Sequence, residues 1–163
     1  MIAGFTGHQH LGPPDVVTWV ERTLAVIIKE KNVTLGLSSL AEGADQVFAS
    51  VLVREHIPFR AVIPARGYEN TFSAEHRAAY ESLLRSARSV DVLSFDEPSE
   101  AAYYEAGTKI VSESDFLIAV WNGEKARGFG GTADIVNYAK AKRRLVVHVN
   151  PNEMSVGHLT PSK

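Results

Sequence analysis

The chain has 163 residues, 45% of them hydrophobic, which is enough for the core of one domain. Its formal net charge of −2 comes from interspersed acids and bases without a basic stripe, so no nucleic-acid partner is expected. The absence of cysteine excludes disulfides and thiolate chemistry, and with no signal-like segment or apolar run of bilayer length it fits a cytoplasmic protein with no membrane partner.

The elements are predicted in strict alternation. "MIAGFT" at 1–6 reads as a strand, short, apolar and bounded by glycine. Pro13 and Pro14 then preset the start of a helix whose stripe is Val17, Val20, Leu24, Ile27 and Ile28. A second strand over "NVTLGLS" leads to a helix over about 41–56, and a third over "FRAVIP" to a helix over about 72–87. "VDVLSF" precedes a helix over about 99–112, "DFLIAVW" one over about 132–142, and "RLVVHVN" closes the series as a sixth strand. Parallel neighbours need long crossovers, so the pattern predicts an α/β, Rossmann-like, doubly wound and mainly parallel sheet of about six strands with helices on both faces. Residues 1–150 form one domain in this reading. Residues 151–163, with two prolines and few apolar side chains, are expected to be a tail lying loosely over it.

In such a sheet a ligand sits beyond the carboxyl ends of the strands, where strand order reverses. Three unusual loops fall there: "GFTGHQHLGPP" after the first strand, "SSLAEGAD" after the second and "WNGEKARGFGGT" after the fifth. Bringing the first and third together requires the "MIAGFT" strand to lie beside "DFLIAVW". The run "GFGGT" is the most specific of the three, because each glycine costs backbone entropy and so marks a tight turn or a close approach. A glycine-rich entry to a helix is suited to phosphate, with Gly130, Gly131 and the Thr132 hydroxyl as donors. Arg127 is placed to offer a bidentate fork to the same anion. In the second loop, Ser38 or Ser39 is a candidate helix cap and Gly43 a candidate packing glycine. His8 and His10 lack a third ligand at a recognisable spacing, so no metal is expected and His8 or His10 is read as a hydrogen-bond donor to phosphate. Tyr68, Tyr103 and Tyr104 are candidates to stack on a base or to edge the core.

The segments "SSLAEGADQVFA", "AVIPARGYENTF", "SESDFLIAVWNG" and "GFGGTADIVNYAKA", in this order, resemble the SLOG superfamily of Rossmann-like nucleotide-binding domains. That superfamily groups Lonely Guy phosphoribohydrolases, molybdenum-cofactor carriers, DNA-processing protein A and bacterial sensor domains. The resemblance extends to about Asn150 and is nearest to members that read "AEGAD" after the second strand and "GGTAD" at the last helix. It implies a nucleotide or nucleotide-derived ligand held by Gly7 and His8, by Glu42, Gly43 and Asp45, and by Gly130, Gly131 and Thr132. Lonely Guy enzymes read PGGxGTxxE with a catalytic terminal glutamate and an arginine on the preceding helix. Here the corresponding positions hold Ile135 and Ala106, so neither of those two side chains is present.

The reading is therefore a binding domain for a nucleotide or ADP-ribose-like phosphate ligand, without a resident cofactor and without chemistry of its own. The alternative is a nucleotide 5′-monophosphate N-glycosidase in which Glu42, Asp45 or Asp134 stabilises an oxocarbenium-like ribose or positions water. A homodimer is left open by the sequence.

Overall fold

The computed structural model describes residues 1–125 and 128–161. Seven strands form one sheet: β1 (Ile2–Gly7), β2 (Leu35–Ser38), β3 (Phe59–Ile63), β4 (Ser89–Val92), β5 (Phe116–Val120), β6 (Leu145–Asn150) and β7 (Ser155–Leu159). Five helices connect them: α1 (Pro14–Glu30), α2 (Ala44–Arg54), α3 (Ala74–Ser86), α4 (Glu100–Ser112) and α5 (Thr132–Ala141), with a short 3-10 turn over Tyr68–Thr71 before α3. The strand order is β4-β3-β2-β1-β5-β6-β7, parallel throughout except for the antiparallel β6–β7 pair. None of the described helices is long and apolar enough to cross a membrane.

The predicted α/β doubly wound architecture is observed, with one strand more than expected. The segment read as a loose tail supplies that strand. The Asn150 side-chain oxygen accepts hydrogen bonds from the backbone N–H groups of Asn152 and Glu153, at 3.0 and 3.3 Å, which turns the chain back on itself. Val156 then faces Val149 across the antiparallel ladder. Because β7 is an exposed edge strand and buries little, its apolar content falls below what a core-facing strand displays.

Uninterrupted apolar strands are explained by helices on both faces. In β5, Phe116, Ile118 and Val120 pack into the cluster under α1, α2 and α3, together with Val20, Leu24, Phe48 and Leu52. Leu117 and Ala119, of opposite pleat, pack with Ile135, Val136 and Ala139 of α5 and Val111 of α4. Phe5 and Phe48 stack at 4.4 Å between ring centroids, joining β1 to α2.

β1 lies between β2 and β5, with Ala3 opposite Phe116 and Gly7 opposite Val120, as the shared-site argument requires. Connections run one way from β1 through β4 and the other way from β5 onward, so the order reverses at the β1–β5 seam. At the end of β1, a Cβ on Gly7 would lie 2.5 Å from the Ala44 Cβ and 3.2 Å from the Val120 carbonyl oxygen. Gly7 therefore serves the packing of β1 against the start of α2. Gly7→Ala must push β1 and α2 apart and is expected to cost about 1–3 kcal/mol as overpacking. Chemical denaturation checks this, and unchanged stability would show that α2 is not seated on β1 as described.

Candidate functional site

A cavity of about 580 Å³ opens at the carboxyl ends of β1, β2, β3 and β5, a size ordinary for a small-molecule site. Of the residues singled out in the sequence as phosphate or ligand contacts, Gly7, His8, Glu42, Asp45, Gly130, Gly131 and Thr132 line it, as do the candidate cap Ser39 and the candidate stacking residues Tyr68 and Tyr103. Gly43 does not. It holds φ +82, and a Cβ there would overlap the Gln9 carbonyl, so it sets the close approach of the α2 entry to the first loop. His10 is exposed and away from the lining. Arg127 lies outside the described residues.

His8 ties three elements together. Its backbone N–H donates to the Val120 carbonyl at 3.0 Å, and its carbonyl accepts from the Ala44 N–H at 3.0 Å, the first amide of α2. Its ring Nε2 accepts from the Asn122 N–H at 3.2 Å, which leaves Nδ1 as the ring N–H. The loops after β1, β2 and β5 are thus joined at one residue.

On the β5 side, Gly130 holds φ +86 and its N–H donates to Asp134 Oδ2 at 2.8 Å. The carboxylate in the first turn thereby fastens the incoming loop, in the manner of a capping box. This alters two sequence expectations. Asp134 is committed to the loop and does not line the cavity, and the Gly130 amide points at that carboxylate. Among the described residues, the Gly131, Thr132 and Ala133 amides and the Thr132 hydroxyl have no partner, so these are the donors left at the start of α5.

On the β2 side, Asp45 sits in the first turn of α2 and is 5% exposed. Its Oδ2 accepts from Ser38 Oγ at 2.8 Å and from the Ser39 N–H at 3.2 Å. Ser38 Oγ also accepts from the Leu40 N–H at 3.0 Å. Ser38 is therefore a partner of Asp45, and Gly43 occupies the cap position. Burial raises the Asp45 carboxyl from 3.8 to about 7, opposed by the Ser38 and backbone hydrogen bonds. Glu42 Oε1 accepts from the Ser73 N–H at 2.9 Å and so holds the start of α3 against the second loop.

Tyr68 and Tyr103, read from the sequence as candidates to stack on a base or edge the core, also line the cavity, together with Phe72 and Glu100, which the sequence did not single out. Tyr68, 4% exposed, and Phe72 and Tyr103 form an aromatic wall, with the Tyr68 ring 4.8 Å from Phe72 and 6.2 Å from Tyr103. Burial, then the charge of Asp45, pushes the Tyr68 phenol well above its ordinary value. Tyr104 instead packs on Phe129 at 4.5 Å. Glu100 reaches the rim from the start of α4. The available signal for Glu100 was its place after the Ser99 cap, whose Oγ accepts from the Ala102 N–H at 3.1 Å.

A carboxyl raised by burial favours the folded state only while it keeps its proton. Between about pH 4 and about pH 7 the folded chain retains a proton that the unfolded chain releases, so stability falls as pH rises through this window and then levels off. Asp45→Asn should remove that slope, gaining up to about 4 kcal/mol on the wild type at pH 8 relative to pH 4. Urea denaturation of both proteins across that range measures it. Parallel pH profiles would show that Asp45 ionises as freely as an exposed acid.

No family model and no curated protein matches the sequence. Solved structures of the same fold do. DNA processing protein A from Streptococcus pneumoniae superposes with TM-score 0.64 at 16% identity, over 90% of this chain and 49% of that one. The same protein from Helicobacter pylori, in a structure described for its single-stranded DNA binding mode, gives 0.66 at 12% identity, over 91% of this chain and 64% of that one. The molybdenum cofactor binding protein from Rippkaea orientalis gives 0.58 at 15% identity, over 93% and 80%. This chain spans about half to two-thirds of the length of the two DNA processing proteins. The expectation of no nucleic-acid partner is corrected by these structures, one of which is described for binding single-stranded DNA. Net charge is a whole-surface average, whereas a single strand needs only a local groove and stacking rings. The chain has the fold of the SLOG-type proteins that its four motifs resemble.

Proposed function

We propose that the cavity binds a nucleotide or nucleotide-derived phosphate ligand of the ADP-ribose kind, and that the protein acts as a binding module. The observation that carries this reading is the meeting of three loops in one cavity at the β1–β5 switch point, with the open first turn of α5 on its wall. The phosphate is assigned to the Thr132 and Ala133 amides and the Thr132 hydroxyl, where the helix dipole favours an anion. The nucleoside end lies against Tyr68, Phe72 and Tyr103, and His8 Nδ1–H is a further donor between the two. This reading groups the chain with the members of the superfamily that carry "AEGAD" and "GGTAD".

One observation favours the N-glycosidase alternative. Asp45 is buried at the cavity and raised to about 7, which suits proton transfer near neutral pH. Against it, Ile135 and Ala106 occupy the positions of the two side chains that Lonely Guy enzymes use, and Asp134 is bonded to Gly130. Incubation with AMP is therefore expected to release no ribose 5-phosphate at turnover rates of order 1 s⁻¹. Such release, lost in Asp45→Asn, would establish the enzyme.

Binding is tested by thermal shift with nucleoside monophosphates and diphosphates, ADP-ribose and a short 5′-phosphorylated single strand. A ligand at a hundred times its Kd adds about 2.7 kcal/mol, or roughly 5–10 °C in a chain of this size. Gly131 holds φ −75 and ψ 177, which any residue can adopt, so Gly131→Val leaves the backbone unstrained while crowding the phosphate position. Calorimetry should show the best ligand weakened at least tenfold in a variant whose circular dichroism is unchanged. Wild-type affinity in that variant would remove the phosphate from the start of α5.

A further inference from the structure

The cavity has a second polar end, away from α5, and its composition is unlike the first. Asp45 accepts through Oδ2 from Ser38 Oγ and the Ser39 N–H. Its other carboxyl oxygen makes no hydrogen bond of ordinary geometry among the described residues, with the Leu40 and Ala41 amides nearby, although the residue is only 5% exposed. Glu42 is likewise held through Oε1 only. Beside them the Tyr68 hydroxyl, on a residue 4% exposed, makes no hydrogen bond among the described residues, and it is near enough to Asp45 and Glu42 to feel both charges. All three residues line the cavity. Two carboxyl oxygens and a phenol thus face the cavity at one corner, flanked by the Phe72 and Tyr103 rings. These polar atoms open onto the cavity, so a ligand that fills the corner and displaces water from them must supply their partners.

Resting on the reading of the cavity as a nucleotide site, we propose that the Asp45–Glu42–Tyr68 corner reads the edge of the nucleobase and selects an amino-bearing base, adenine or cytosine. An exocyclic amino group carries two N–H donors, one for each open carboxyl oxygen. The adjacent ring nitrogen is an acceptor and takes the Tyr68 O–H, while the ring face lies on the aromatic wall. A base with a carbonyl in place of that amino group, as in hypoxanthine, guanine or uracil, would set an oxygen against the carboxyl oxygens, acceptor against acceptor, and leave both unpaired. The spacing agrees. β2 and β5 flank β1, two strand spacings or about 10 Å apart, so a ligand with its phosphate on α5 brings its base, and not its ribose, under the second loop.

Calorimetry at about pH 8.5 tests this with 5′-monophosphates of adenosine, inosine, purine riboside, cytidine, uridine and 2′,3′-dideoxyadenosine. The wild type should bind AMP at least tenfold tighter than IMP or purine riboside monophosphate, and CMP at least tenfold tighter than UMP. Dideoxy-AMP should match AMP within a few-fold, because the ribose hydroxyls are not read at this corner. Asp45→Asn substitutes an amide, whose N–H₂ is a donor, and should reverse the AMP over IMP preference. Tyr68→Phe keeps the ring and should lower AMP affinity several-fold while leaving ribose 5-phosphate binding unchanged. Equal affinity for all bases, with binding still abolished by Gly131→Val, would overturn the base assignment and leave the nucleotide site standing. Loss of binding on removing the ribose hydroxyls would likewise overturn it in favour of a diol subsite. No binding of any monophosphate would overturn both.

Discussion

The candidate site depends on the seam between the first loop and the start of α2. Two missing side chains allow it: Gly7 lets Ala44 reach β1, and Gly43 lets the α2 entry reach the Gln9 carbonyl. His8 then closes the seam, its carbonyl taking the first amide of α2 and its N–H reaching Val120 at the end of β5. Without this approach the second loop would stand off the sheet, and Asp45 would sit in water. With it, Asp45 is buried at the cavity wall, which is the physical origin of its raised proton affinity.

The same geometry gives the cavity two unlike ends. Toward α5 the wall presents helix-start amides and a hydroxyl, which are donors. Toward α2 and the Tyr68 turn it presents carboxyl oxygens and a phenol. A ligand with an anion at one end and hydrogen-bond donors at the other satisfies both without crossing charges. Glu100 and Glu42 at the rim add negative charge that an anion avoids by lying against the helix dipole. The first loop, with His8 Nδ1–H, lies between the two ends.

Much of this was legible in the sequence because it is written in local pattern. β5 reads as an unbroken apolar strand since Phe116, Ile118 and Val120 feed one face and Leu117 and Ala119 the other. The three glycine-bearing loops announce themselves for the same backbone reasons that shape them. What escaped depends on tertiary context. Gly130 looks like a phosphate donor until the Asp134 carboxylate is seen to hold its amide. Ser38 looks like a cap until Asp45 folds back seven residues to meet it. Tyr68 reads in the sequence as either a stacking platform or a core edge, and only the packing of Phe72, Tyr80 and Tyr103 around it places it at the cavity. β7 escaped because an exposed edge strand needs few apolar side chains, although the turn chemistry at Asn150 and Pro151 was on view. Net charge misled about nucleic acid, being an average that carries no information about one groove.

Backbone amide chemical shifts during a titration with AMP test the central claim most directly, because they locate the ligand without perturbing the protein. The two-ended site requires the largest changes at Thr132 and Ala133 on one side and across Ser39–Asp45 and Tyr68 on the other, in a single saturating process. Changes confined to one of these groups, or centred on the β7 edge, would contradict the account of one ligand spanning the β1–β5 switch point.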